Sequence, residues 1–298
     1  MDAEELAGRW REMSPGEREE AYSPSSCIGG DYAPFLAAYR DRSAAARAGV
    51  AGWLEHSYGP SPSQCLDLFM PVDADGPVPL LVFIHGGYWQ ELSKDDSSFA
   101  APAWVDRGVA FAALDYTLAP EVSLAEIVAE CRRAVSWLYE NAADLGVDER
   151  RIVVAGSSAG AHLAAMVAIP GWQWTAGCSG SLVAGTVLIS GIFDLEPLGG
   201  TPIAEPLCLT DRDLTDLSPA RLQLGNFPPS TVCWGEVETD EFKSQSRDFA
   251  ARLDEAGTPC TSFEVSGRNH FDVVFELADP GSLTGMEVAS MLEQPREA

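Results

Sequence analysis

Basic side chains are scarce in this sequence: 19 Lys and Arg stand against 45 Asp and Glu among 298 residues, a formal net charge of −26 with His neutral. A surface of that sign repels nucleic-acid phosphates and anionic lipid headgroups, which excludes nucleic-acid binding and membrane-surface binding as primary roles. Long apolar runs are also missing. The best stretch, Val78–Ile84, ends at His85, far short of the ~18 residues that span a bilayer. Residues 1–20 mix acidic and basic side chains with no apolar centre, so neither a secretory signal nor a transit peptide is expected, and the expected compartment is the cytoplasm. The seven cysteines, at 27, 65, 131, 178, 208, 233 and 260, are odd in number, widely spaced and without a C-x-x-C pair. They argue for mostly buried, inert thiols and against a disulfide framework or a zinc site. His56, His85, His162 and His270 are too far apart for a helical ligand pair. Neither a metal nor a cofactor is expected.

What is present is a globular composition, 46% hydrophobic and 21% charged, enough for a sizeable core. Ser14-Pro15-Gly16-Glu17 has the form of a capping box with proline at the first helical position. After Gly29-Gly30, Tyr32, Phe35, Leu36 and Tyr39 recur at helical spacing. These features make 1–55 an N-terminal helical segment that either packs on the rest or covers a site as a lid. From Leu66 onward short apolar runs at 66–70, 80–84, 109–114, 152–156, 186–190, 231–234 and 261–265 predict strands, several of them buried on both faces. Helices lie between them, the clearest at 124–141, where Ile127, Val128, Cys131, Val135 and Leu138 form one stripe. The alternation predicts an α/β fold with a mainly parallel sheet, and the absence of a long polar linker predicts one domain over 1–298. Residues 191–229 break the rhythm and read as a helical excursion beside the site.

The chemistry concentrates where the strand at 152–156 runs into Gly156-Ser157-Ser158-Ala159-Gly160 and then a small-residue helix. Glycines two positions on either side of Ser158 let a strand turn sharply into a helix with the hydroxyl exposed, the context of a nucleophile elbow. Upstream, the strand at 80–84 ends in His85-Gly86-Gly87-Tyr88-Trp89. Backbone N–H groups of Gly86 and Gly87, together with that of Ala159, are candidates to hold the oxyanion of a tetrahedral intermediate.

A serine hydroxyl needs a base to take its proton, and histidine suits that task. The chain order Ser, acid, His assigns it to His270, which follows the last predicted strand. His162 lies one turn beyond the serine and is expected to pack or bond locally, and His85 to position the glycine loop. The acid belongs after the strand at 231–234, where Glu236, Glu238, Asp240 and Glu241 compete. Glu238 is the choice and Asp240 the reserve. Either could hold the imidazole in the right tautomer and stabilise its charged form.

These residues resemble the kynurenine formamidase (arylformamidase) branch of the α/β-hydrolases, close to the hormone-sensitive-lipase-like esterases. The resemblance runs from Tyr22-Ser23-Pro24 through the HGGYW at 85–89, Leu114-Asp115-Tyr116 with Ala119-Pro120, the GSSAGAHLAA at 156–165 and Ser190-Gly191-Ile192-Phe193-Asp194, to the acidic stretch 235–246. It implies an α/β-hydrolase fold, a mostly parallel sheet with helices on both faces. It also implies a serine hydrolase that cleaves a small-molecule ester or formamide through an acyl-enzyme. Tyr88 stands where the general esterases carry a third glycine, and Glu238 stands where an Asp is expected in formamidases acting on N-formylkynurenine. Tyr88 and Trp89 are candidate pocket walls. A carboxylesterase and a catalytically inactive binding or scaffold protein are the rival readings, the latter opposed by the intact Ser158, His270 and glycines. A homodimer is compatible with the sequence.

Overall fold

A computed structural model describes residues 8–172 and 181–294. Expectations touching 1–7, 173–180, with Cys178, and 295–298 lie outside the described residues. Eight strands form one sheet: β1 Trp53–Ser57, β2 Cys65–Phe69, β3 Val78–Ile84, β4 Ala110–Leu114, β5 Val147–Ser157, β6 Gly185–Ile189, β7 Ser230–Val237 and β8 Cys260–Asn269. Their order is β1-β2-β4-β3-β5-β6-β7-β8. The β1/β2 and β2/β4 pairs are antiparallel and the remaining pairs parallel. β2 to β8 answer the seven predicted strands. β1 is a correction: the helical segment expected over 1–55 ends before Trp53, where a strand begins. It is a half-exposed edge strand, Trp-Leu-Glu-His-Ser, that lacks the apolar run marking the inner strands.

The inner strands divide their side chains by the two-residue period. Leu80, Val82, Ile84, Ile152 and Val154 join one buried cluster with Leu138, Leu163 and Phe249 from the helices Leu124–Glu140, Ala159–Ala168 and Asp240–Glu255. Leu81, Phe83, Val153 and Ala155 join a second, on the other face, with Tyr39, Trp104 and Leu292 from Ala33–Gly49, Ala101–Val105 and Leu283–Glu293. Helices therefore cover both faces, and continuous apolar runs are needed because neither face meets water.

The Ser14 capping box forms as expected. Segment 191–229 consists of three 3₁₀ turns and a short helix, Asp211–Asp216. Of the six described cysteines, Cys65, Cys131 and Cys233 are buried, while Cys27 and Cys208 are exposed, so the expectation of buried thiols holds for only part of the set. No helix among the described residues is long and apolar enough to cross a membrane.

Candidate active site

Parallel strands bring their carboxyl ends to one edge of the sheet, and every candidate residue follows such an end. Ser158 sits between β5 and the helix Ala159–Ala168 with φ 57° and ψ −121°, a conformation that L-residues rarely adopt. The flanking glycines make it attainable. A Cβ on Gly156 would lie 2.1 Å from Gly160 O, and one on Gly160 would lie 2.0 Å from Ile84 O and 2.5 Å from His85 O. The Ser158 carbonyl accepts hydrogen bonds from the N–H groups of Ala161 and His162, starting the helix. Its own N–H donates to Ile189 O at 2.8 Å, tying the turn to β6.

His270 follows β8, and its Nδ1–H donates to Glu238 Oε2 at 3.0 Å. The other carboxylate oxygen, Oε1, accepts from the Gly235 N–H at 2.5 Å and from Ser190 Oγ at 2.6 Å. Glu238 is thus buried with both oxygens partnered, as a carboxylate away from water must be. Asp240 points elsewhere, its side chain 60% exposed and 3.5 Å from Arg9, which removes the reserve candidate. The Phe242 ring packs on the His270 imidazole with centroids 4.4 Å apart. Ser190 opens the Ser190-Gly191-Ile192-Phe193-Asp194 stretch of the resemblance, but nothing in the sequence pointed to a contact with the acid.

The glycine loop passes directly over the elbow. A Cβ on Gly86 would lie 2.7 Å from Ser157 O and 3.2 Å from Ser158 Cβ, and Gly87, Tyr88 and Trp89 hold three successive positive φ angles. Ala159 is buried at the first position of the elbow helix, where N–H groups have no partner within the helix. His85 supports the loop. Its ring stacks on Tyr116 at 4.2 Å, with Nδ1 3.0 Å from Gly86 O and Nε2 3.4 Å from Asp115 Oδ1. Tyr116 Oη donates to His85 O. His162 is fully buried, bonds Leu217 O through Nε2 at 2.7 Å, and is held neutral by burial, which pushes its pKa down to about 4.

These pieces face a cavity of about 300 Å³ lined by Ser158, His270, Gly86, Gly87 and Tyr88. Aromatic and aliphatic walls come from Phe83, Phe99, Phe271 and Val274, and the N-terminal segment adds Ser23, Pro24, Tyr32, Leu36 and Tyr39. Ile203 represents the 191–229 excursion. Trp89 is a correction: it does not line the cavity, and its buried ring packs edge-on against His162 at 5.0 Å. Tyr88, the other candidate wall, lines the cavity and donates its hydroxyl to Tyr22 O. Among the described residues no cluster of three His, Cys, Asp or Glu side chains is placed to hold a metal ion.

A strained serine beside a histidine–carboxylate pair, under a glycine loop, is equipped for attack on a carbonyl carbon. Known proteins resemble this chain over most of its length. The family model BD-FAE matches residues 66–176. Kynurenine formamidase from Danio rerio is 32% identical over 284 residues, spanning 92% of this chain and 95% of the relative. A Silicibacter sp. TM1040 structure, provisionally described as a thioesterase, is 30% identical with a TM-score of 0.80 over 91% of this chain and 98% of the other. An esterase of Pyrobaculum calidifontis shares the fold, with a TM-score of 0.70 at 21% identity over 94% and 98% of the two chains.

Proposed function

Because the chain belongs to the kynurenine formamidase family, we propose that it cleaves a small acyl or formyl ester or amide with Ser158 as nucleophile, His270 as base and Glu238 as the acid that orients it. Membership of that family makes it a hydrolase of the esterase and formamidase kind. The assignment of the three residues is carried by the Glu238–His270 contact at 3.0 Å and by Ser158, on its elbow, facing the same cavity as His270.

In this reading His270 takes the Ser158 proton as Oγ attacks the carbonyl carbon, and the imidazolium that forms is stabilised by Glu238. The N–H groups of Gly86, Gly87 and Ala159 receive the negative charge on the carbonyl oxygen. Collapse of the intermediate expels the amine or alcohol, protonated by His270, and leaves an acyl- or formyl-enzyme. Water, deprotonated by His270, then frees the acid and restores the serine. The aromatic walls Tyr32, Phe99 and Phe271 favour an aryl leaving group, and Tyr88 narrows the space beside the oxyanion loop. The N-terminal segment acts as a fixed wall more than a moving lid. Tyr88 is bonded to Tyr22 O, Gln245 Nε2 donates to Tyr22 Oη, and Arg18 donates to Gly199 O.

The test is kcat/KM for N-formylkynurenine beside a 4-nitrophenyl acyl ester series, with Ser158→Ala as control. Formamide turnover exceeding ester turnover, both lost in the variant, is the expected result. Turnover of esters alone would leave a carboxylesterase, and activity surviving in Ser158→Ala would sink the mechanism.

A further inference from the structure

Ser190 lies where β6 leaves the sheet, completely buried, with φ 51°. That left-handed conformation suits glycine and burdens a residue carrying a Cβ. A non-glycine residue held this way in an interior points to a side chain that the site uses. Here the turn aims Oγ at Glu238 Oε1, 2.6 Å away, while the Ser190 N–H donates to Cys233 O at 2.8 Å. The preceding residue, Ile189, accepts the Ser158 N–H at 2.8 Å. Two consecutive residues at the end of β6 thus hold the backbone of Ser158 and the carboxylate of Glu238.

We infer that Ser190 is a positioning residue for the reaction proposed above, acting through Glu238, and the inference rests on that reading. A glutamate has one more torsion than an aspartate at the same position, so its carboxylate needs more holding to face the imidazole. Ser190 Oγ and the Gly235 N–H together fix Oε1 and leave Oε2 directed at His270 Nδ1. The hydroxyl also draws charge from the carboxylate. Without it Glu238 binds the imidazolium more tightly, so the base surrenders its proton less readily. Among other titratable groups near Glu238, Cys233 is pushed up to about 12, first by burial, and does not ionise in the acid limb of a rate profile.

The test compares Ser190→Gly and Ser190→Ala with the parent protein on N-formylkynurenine and 4-nitrophenyl acetate. Ser190→Gly is the decisive variant, since it removes the hydroxyl while relieving the positive φ, so backbone strain cannot explain its defect. The expected result is a kcat about tenfold lower in both variants with KM within about twofold, and an acid limb of kcat/KM moved to higher pH. A merely structural serine would leave that limb in place. Ser190→Gly retaining the parent's kcat and acid limb overturns the assignment alone. A parent protein inactive on both probes, or unaffected by Ser158→Ala, overturns the triad reading and this inference with it.

Discussion

Ser158 shows how much chemistry depends on one residue's backbone. Its φ of 57° brings the hydroxyl to the cavity, and the loop carrying Gly86 approaches it so closely that one added methyl would reach 2.7 Å from Ser157 O. Gly86→Ala must therefore displace the loop that carries the proposed oxyanion donors. The expected loss is about 10²-fold in kcat, together with a lowered thermal midpoint because the clash is with backbone, measured by ester hydrolysis and by calorimetry on the same preparation. Ser158→Ala should lower kcat/KM by about 10⁴-fold or more while leaving folding intact, because the side chain lost is one hydroxyl at the cavity wall. Labelling by a fluorophosphonate should vanish with it. Glu238→Gln keeps the shape of the acid but replaces one oxygen with a donor, so its NH2 faces either the imidazole Nδ1–H or the Gly235 N–H, and two donors are opposed in both cases. A fall in kcat of about 10³- to 10⁴-fold is expected from steady-state kinetics, by the same tautomer argument that applies to a triad aspartate.

Among the elements, β3, β5 and the helix Ala159–Ala168 meet with backbone against backbone. Gly160 lies against the carbonyls of Ile84 and His85, backbone atoms that cannot swing aside as a side-chain end would. Gly160→Ala is expected to cost about 3 kcal/mol or more, read from urea unfolding, and to abolish activity even in the molecules that fold. The helix Ala33–Gly49 makes a different junction. Tyr32, just before it, and Phe35 stack on Phe271 at 5.3 and 5.6 Å, and Tyr39 Oη donates to Phe271 O. Phe271 is the neighbour of His270, so the N-terminal segment braces the histidine loop as well as walling the cavity.

For the whole molecule, the pH dependence of stability is set in part by a group with no role in the reaction. His162 joins the elbow helix to the 191–229 excursion through Leu217 O, and burial lowers its pKa from 6.5 to about 4. Above pH 6.5 it is neutral in folded and unfolded chains alike. Below 6.5 the unfolded chain takes up a proton that the native protein refuses, so stability falls as pH drops towards 4. The contribution reaches about 3 kcal/mol. His162→Gln retains a donor for Leu217 O and should flatten the decline of the urea midpoint between pH 6.5 and 4 by about one proton's worth of slope. An unchanged slope would assign the acid sensitivity to other groups.

Local pattern alone sufficed for much of this protein. Glycines at 156 and 160 around Ser158, a Gly-Gly after a buried strand, and a histidine after the last strand are short-range signals, because the steric demands of a strand-to-helix turn act between neighbours in the chain. The six inner strands were legible for a similar reason, since burial on both faces requires unbroken apolar runs, and the edge strand β8 was legible from Thr261, Phe263 and Val265 at alternate positions. β1 was not, since an edge strand of Trp-Leu-Glu-His-Ser with one side in water carries no such run. The choice between Glu238 and Asp240, the removal of Trp89 from the cavity and the Ser190 contact belong to tertiary structure. Each depends on where residues tens of positions apart in the chain meet. Glu238 is identified by a bond to His270, 32 residues later in the chain, and Ser190 by one to Glu238, 48 residues later. No periodicity or spacing encodes such distances; only the parallel sheet, by gathering the carboxyl ends of β3, β5, β6, β7 and β8 at one edge, brings them together.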